Sequence, residues 1–429
     1  MKNRRLMIVT FLFVLTCMFA LEASAQTVNK PLRASAQRRN FYIGAAVAMS
    51  AFNNESVYRD TLKREFNILV AENAFKWEAI HPGKNSYNFT DTDVLVNFAE
   101  ANGMKVRGHT LVWHNQLPNW LTSGNFTRDE LITILQDHVK TVVGRYKGKI
   151  AAWDVVNEAI ADNGAYRTES FWHQKLGTDY LKLAFQFARE ADPDSKLYYN
   201  DYSNEDLNTK SNAIYNMLAG LKNEGVPVDG IGWQMHMVNG FRVPPSFIAN
   251  AQRLAQIGLE LSITELDVRA TLPTDAAALQ EQAETYKSVL NFCLSQANCK
   301  ALLTWGFTDK HSWVPGFFTG TGDALLFDKN YQPKPAYTAL QEILQAGIDF
   351  NPKITLVAKV KKQLVLTGID FENGSEILIN GVRQKKVSND PEHPTTVLVA
   401  AKAGKFILSG DKIQVRNPDG SLSNEFTYP

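Results

Sequence analysis

The strongest constraint on this chain is a repeat of texture. Between residues 41 and 340, short apolar runs alternate with stretches whose apolar residues recur at helical spacing. The runs are YIGAAV (42–47), NILVAEN (67–73), MKVRGHTLVW (104–113), IAAWDVVNE (150–158), KLYYNDY (196–202), GIGWQMHM (230–237), LELSITELDV (259–268) and ALLTWGF (301–307). Helix-like segments such as TDVLVNFAEANG, TRDELITILQDHVKTVVGRY and DYLKLAFQFAREAD lie between them. Eight strands, each followed by a helix, predict an α/β fold of the (β/α)₈ TIM-barrel type. A doubly wound open sheet also alternates strand and helix, but it normally carries a Gly-rich phosphate loop after an early strand, and none is present.

The polar residues point the same way. The runs are apolar at their starts and chemically loaded at their ends: Glu72 and Asn73, His109 and Trp113, Asn157 and Glu158, Asp201 and Tyr202, Gln234 and His236, Glu265 and Asp267, and Trp305. In a barrel the C-terminal ends of the strands meet at one face, so these groups are expected to converge on a single cleft.

The N-terminus reads as a processing signal. Lys2, Arg4 and Arg5 precede the apolar stretch LMIVTFLFVLTCMFAL, and Ala23 and Ala25 supply small residues before a cut, so residues 1–25 are expected to be a secretory signal peptide. The competing readings are a retained anchor, for which the stretch is short of the ~20 residues of a spanning helix, and lipid attachment at Cys17, which Thr16 suits poorly. A secreted protein, extracellular or periplasmic and free of the membrane after cleavage, is the expectation. Cys293 and Cys299 then remain, and an even pair in an oxidising compartment favours a disulfide over two free thiols. A formal net charge of +1 supplies no basic field for nucleic acid. No metal-ligand spacing and no phosphate clamp is found, so no metal and no cofactor is expected.

Two carboxylates stand out because each closes a strongly apolar run, Glu158 in WDVVNE and Glu265 in LSITE. The fourth and seventh strands of a barrel lie across its mouth from one another. Paired carboxylates without metal ligands suit hydrolysis of a glycosidic bond, one protonating the leaving oxygen while the other attacks the anomeric carbon or activates water. The structural alternative for either glutamate is a buried ion pair. All 8 Trp precede residue 314, and Trp113, Trp305 and Trp313 sit at or beyond strand ends, where indole faces can stack on sugar rings. Trp153 and Trp233, mid-strand, are expected in the core.

The segments AENAFKWEAIHPGKNSYNF, VRGHTLVWHNQLPNWL, WDVVNEA, LYYNDYSNE, WQMH, ITELDV and LTWGFTDKHSWVPG resemble the motif series of glycoside hydrolase family ten, the retaining endo-β-1,4-xylanases, in order from about 40 to 343. The resemblance implies that Glu158 is the general acid/base and Glu265 the nucleophile of a double displacement. It implies that Asn157 meets the 2-hydroxyl of the reacting sugar, and that His236 stands beside the nucleophile with Asp267 orienting it and Gln234 on the same face. Glu72, Asn73 and Lys76 match the non-reducing-side sugar contacts. His109, Trp113, Gln116, Trp305 and Trp313 match the walls and floor around the reacting sugar, and Tyr202 an aromatic on the leaving-group side. Cys293 and Cys299 resemble a disulfide of the family. The implied substrates are xylan and xylo-oligosaccharides, acted on by a monomer. A related β-1,4-glucanase and a non-catalytic glycan-binding barrel are the alternatives. The chemistry asks the two glutamates for opposite states: Glu158 has to carry a proton while Glu265 stays ionised.

The catalytic barrel is expected to span 26–346. Residues 352–429 change texture to short alternating runs, QLVLTGIDF, EILINGV, TTVLVAA and DKIQVRNPDGSLSNEFTY, with turn signals at Asn373-Gly374, Asn380-Gly381 and Asp419-Gly420. They predict a small all-β sandwich, and GIDFENGSEILINGV with VRNPDGSLSNEFTYP resembles the immunoglobulin-like IPT/TIG type. This segment holds no Trp, so the stacking platform of many carbohydrate-binding modules is missing. A spacer or a stabiliser of the barrel is favoured over a surface-contact module.

Overall fold

The computed structural model describes residues 30–429; the signal-peptide reading and Cys17 lie outside them. The described chain forms two compact units, Lys30–Asp349 and Phe350–Pro429. In the first, eight parallel strands close on themselves: β1 (Tyr42–Val47), β2 (Ile68–Ala71), β3 (Lys105–Val112), β4 (Ala152–Asn157), β5 (Lys196–Asp201), β6 (Gly230–Trp233), β7 (Glu260–Thr271) and β8 (Cys299–Thr304). Each pairs with the next, and β8 returns to β1 with Tyr42 opposite Ala301 and Ala45 opposite Thr304. Closure removes the sheet edges that an open arrangement would expose.

Alternation along the strands sorts the side chains into two layers. Ala46, Ile68, Val70, Ala301 and Leu303 pack with Trp305 as a small cluster of their own. The alternate set, including Leu69, Val106, Trp153, Val155, Leu197 and Ile263, joins the large core with the helices. The helices form where the sequence supplies both a stripe and a stop. Arg128–Arg145 buries Leu131, Leu135, Val139 and Val142, and it starts at a capping box in which Thr127 and Glu130 satisfy each other's backbone N–H. The Cys293–Cys299 disulfide ties the last turn of the helix Ala276–Ser295 to the start of β8. Trp153 and Trp233 are fully buried, as core residues should be.

Three strand ends differ from the sequence expectation, and all three shape the site. β4 stops at Asn157, and Glu158 follows in the left-handed region with φ 56°. The sixth run breaks after Trp233; Met235 takes φ 60°, and a short strand His236–Val238 then pairs with β7. β7 does not end at Val268, where the expected run stops. It continues to Thr271, held on one side by that short strand and further out by Thr321–Gly322, with a register shift between Ile263 and Leu266 against β8.

The second unit holds two antiparallel four-stranded sheets. One runs Lys353–Val360, Gln363–Ile369, Val397–Ala400, Val387–Asn389, and the other Val382–Arg383, Glu376–Ile379, Lys412–Arg416, Phe426–Thr427. Leu364, Leu366, Phe371, Ile377, Leu398, Ile413 and Val415 form their shared core. Asn380-Gly381 has φ of 48° and 77°, the two positive values that a tight hairpin turn requires. The strand Lys353–Val360 lies outside the runs expected from sequence.

Packing between β3 and β4 depends on the absence of a side chain at Gly108. A Cβ there would stand 2.1 Å from the Trp153 ring, which is buried against Phe75. Gly108→Ala is expected to cost ~1–3 kcal/mol, as overpacked cores do. Calorimetry should show a lowered Tm; an unchanged Tm would contradict this packing.

Candidate active site

A cavity of about 720 Å³ opens at the C-terminal ends of the strands. Its lining includes eleven of the residues proposed from sequence: Lys76, His109, Trp113, Asn157, Glu158, Tyr202, Gln234, His236, Glu265, Trp305 and Trp313. Glu72, Asn73 and Gln116 are not in that lining. They adjoin it through Lys76, whose Nζ donates to Asn73 Oδ1 at 2.9 Å, while Gln116 Nε2 donates to the same oxygen at 3.4 Å. Burial pushes the Lys76 ammonium down, and the nearby carboxylates of Glu265, Glu72 and Glu158 oppose that shift. Burial pushes Glu72 up, against the pull of Lys76.

Glu158 is placed by the left-handed turn that follows β4. Its backbone N–H donates to Asn200 O at 2.9 Å, and its carbonyl accepts from Arg167 Nε at 3.0 Å. Neutral donors surround its carboxyl group. Trp113 Nε1 reaches Oε2 at 2.9 Å, and Gln234 Nε2 and Asn157 Nδ2 reach Oε1 at 3.0 and 3.2 Å.

Glu265 lies in a different field. Burial alone would push its carboxyl up, yet it is held below its ordinary value by His236, by the His109 ring nearby and by a hydrogen bond from Asn200. Asn200 Nδ2 donates to Glu265 Oε1 at 2.8 Å, and His236 Nε2 lies 3.4 Å from Oε2. His236 Nδ1 faces Asp267 Oδ2 at 2.9 Å. Burial works against a charged imidazole, but the two carboxylates outweigh it and push His236 up to about 10. The ring is an imidazolium across the neutral range, with its charge against Glu265.

The same Asp267 oxygen accepts from Trp313 Nε1 at 2.8 Å, so the carboxylate that orients His236 also fixes an indole wall. Beneath the floor, Asp154 takes Arg107 Nε at 3.0 Å and His109 Nδ1 at 3.1 Å, which leaves the His109 Nε2 edge toward the cleft. Trp305 meets the His109 ring edge-on at 5.2 Å.

Sequence reading misplaced one strand end and missed another residue beside it. Asp201 does not face the cleft. It is fully buried against Lys210 Nζ at 2.9 Å and the Tyr199 hydroxyl, and it is pushed up to about 7 by burial, with Lys210 opposing and Glu158 adding. One residue earlier, Asn200 faces the other way and joins both glutamates. Besides its bonds to Glu265 and to the Glu158 backbone, its Nδ2 reaches Asn157 Oδ1 at 2.9 Å, and its Oδ1 accepts from Thr264 at 2.7 Å. The available signal was strand parity: inward residues of β5 are 198 and 200. His114, Arg167, Arg269 and Phe317 also line the cavity and were not foreseen.

The chain has counterparts among known proteins. Residues 31–343 match the model of glycosyl hydrolase family 10. The chain belongs to glycosyl hydrolase family 10. The match covers the family 10 barrel and leaves residues 344–429 outside it. Endo-1,4-beta-xylanase B of Thermotoga neapolitana is 48% identical over 318 residues, which is 73% of this chain and 92% of that protein. Endo-1,4-beta-xylanase 1 of Humicola insolens is 40% identical over 329 residues, 76% of each chain. Among solved structures, xylanase 10B from Thermotoga petrophila RKU-1 in complex with xylobiose is 50% identical with a TM-score of 0.73, covering 75% of this chain and 99% of its own. Native xylanase 10B from Thermotoga maritima is also 50% identical, at a TM-score of 0.71, with 73% and 98% covered.

In this family 10 barrel, Asn200→Ala removes a donor from the Glu265 carboxylate. Losing a hydrogen bond to a charged group is expected to lower kcat about 10- to 100-fold. Because that bond helps hold Glu265 down, the acid limb of the kcat/KM profile should move to higher pH in the variant. A fall in rate with an unmoved acid limb would contradict the assignment.

Proposed function

We propose that this chain is a secreted endo-1,4-β-xylanase that cleaves internal bonds of xylan with retention of configuration, through a covalent glycosyl-enzyme on Glu265. The observation that carries the reading is the asymmetry of the two glutamates. Glu265 is held ionised beside an imidazolium, whereas Glu158 sits among the neutral donors Trp113, Gln234 and Asn157. The first suits a nucleophile, and Glu158, with no cation on its carboxyl group, takes the remaining acid/base role. The names of the relatives, and the xylobiose bound by one of them, support xylan as the substrate class.

In the first step a Glu265 oxygen attacks the anomeric carbon while Glu158 delivers its proton to the departing glycosidic oxygen. The C–O bond to the leaving sugar breaks, and an ester to Glu265 forms. In the second step Glu158, now a carboxylate, takes a proton from water as the water oxygen attacks the same carbon and releases Glu265. Asn157 is positioned for the 2-hydroxyl of the reacting sugar, with its Oδ1 oriented by Asn200 and by Gln234 Nε2 at 3.3 Å. Trp313, held by Asp267, stands as the wall that crowds the hydroxymethyl group a glucose unit would bring. Secretion follows from the N-terminal processing pattern. The C-terminal unit is read as an immunoglobulin-like sandwich of the IPT/TIG type.

Reducing-sugar release should be rapid from xylan and slight from carboxymethylcellulose; the reverse order would favour the glucanase reading. Glu265→Ala should lower xylan hydrolysis by on the order of 10⁴-fold or more, and substantial residual turnover would sink the nucleophile assignment. Proton NMR of early products should show the β-anomer first. An initial α-anomer would mean inversion and a wider carboxylate pair.

A further inference from the structure

β7 carries Glu265, Asp267 and Arg269 at alternate positions of one long strand. Alternate residues share a face, so the three climb one wall of the cleft, and Arg269 stands ~13 Å beyond Glu265 along the strand axis. The first two are occupied by the chemistry described above. Arg269 lines the same cavity and has no part in that chemistry.

Its surroundings are those of a held cation with open donors. The backbone is pinned on both flanks, with Val238 opposite Arg269, Ala270 opposite Gly322, and Asn239 N–H donating to the Arg269 carbonyl at 2.9 Å. The guanidinium carbon lies 4.1 Å from the centroid of the Phe318 ring. Stacking of this kind occupies a face of the guanidinium and leaves its in-plane N–H groups available. Among the described residues, no hydrogen bond or ion pair holds that guanidinium. The other arginines near the cleft are committed: Arg107 to Asp154, and Arg167 to Tyr202, to the Glu158 carbonyl and to Glu169. Asp267, two residues back along the strand, is committed to His236 and Trp313, and Asp323, next to the Gly322 that pairs with Ala270, to the Thr274 hydroxyl. Beside it Phe317 is 70% exposed, 5.1 Å from Trp313 and 4.8 Å from Phe318 between ring centroids, an apolar face at the rim.

A neutral xylose backbone offers this cation nothing to neutralise. A carboxylate on a branch does, and a planar guanidinium recognises one with two parallel N–H bonds. We propose that Arg269 is a binding residue for the carboxylate of a uronic-acid branch on the xylan chain, with Phe317 supporting the branch sugar's C–H face. This rests on the xylanase reading above and assigns the protein a preference for acid-decorated substrate.

The test compares kcat/KM on a neutral linear xylohexaose, on a uronic-acid-branched xylo-oligosaccharide, and on the same branched compound with its carboxyl reduced to the alcohol. The wild type should favour the acidic compound over its reduced form by about tenfold, with the ratio shrinking as salt is added. Arg269→Gln should bring that ratio close to one, read as acidic over reduced compound within the same variant, and Arg269→Lys should keep part of it. Equal wild-type rates on the acidic and reduced compounds would overturn the proposal, and so would an Arg269→Gln loss equal on all three. A wild type inert on the neutral chain would instead overturn the xylanase reading, and this inference with it.

Discussion

Asp267 Oδ2 is the fixed point of the cleft. Fully buried, it accepts from His236 Nδ1 and Trp313 Nε1 at 2.9 and 2.8 Å. A carboxylate without water is costly unless it is paired and hydrogen-bonded, and here the pairing performs two tasks at once. It keeps His236 charged beside Glu265, which favours the ionised carboxylate there, and it sets the angle of the Trp313 indole on the wall of the cleft. Reactivity and shape are thereby coupled through one oxygen atom.

The opposite wall uses neutral groups. Side-chain exposure of Glu158 is 12% against 6% for Glu265, so depth alone does not separate them. Their contacts differ: an indole and two amide N–H groups on Glu158, an imidazolium and one amide N–H on Glu265. Asn200 spans the two, holding the Glu158 backbone with its carbonyl and the Glu265 carboxylate with its amide. Gly232 makes room for it, since a Cβ there would stand 2.1 Å from Asn200 Oδ1. The buried Arg107–Asp154 pair steadies His109 under the same floor.

Much of the barrel was legible in sequence because apolar runs and helical stripes report directly on burial. Strand starts match closely, as at Tyr42, Lys196 and Gly230. Strand ends were less legible. Left-handed turns at Glu158 and Met235 occur at non-glycine residues, for which composition carries no mark, and they persist because surrounding hydrogen bonds fix them. The extension of β7 to Thr271 depends on partners from distant segments, which no local pattern reveals. The choice between Asn200 and Asp201 is the sharpest case. A shift of one residue along a strand exchanges the faces, so the more acidic neighbour drew attention while the amide occupied the site. The two glutamates were found by their placement after apolar runs and by motif. The different contacts of the two became visible only with His236, Asp267 and Trp113 in place around them.

The retaining mechanism turns on a covalent bond between Glu265 and the sugar. An activated 2-deoxy-2-fluoro-xylobioside tests it directly, because its fluorine slows release of the glycosyl-enzyme far more than it prevents formation. Intact-mass measurement followed by peptide mapping should find one label per chain, on the peptide carrying Glu265. Labelling of Glu158 or any other residue, or steady turnover of the reagent with no trapped species, would rule out Glu265 as the nucleophile.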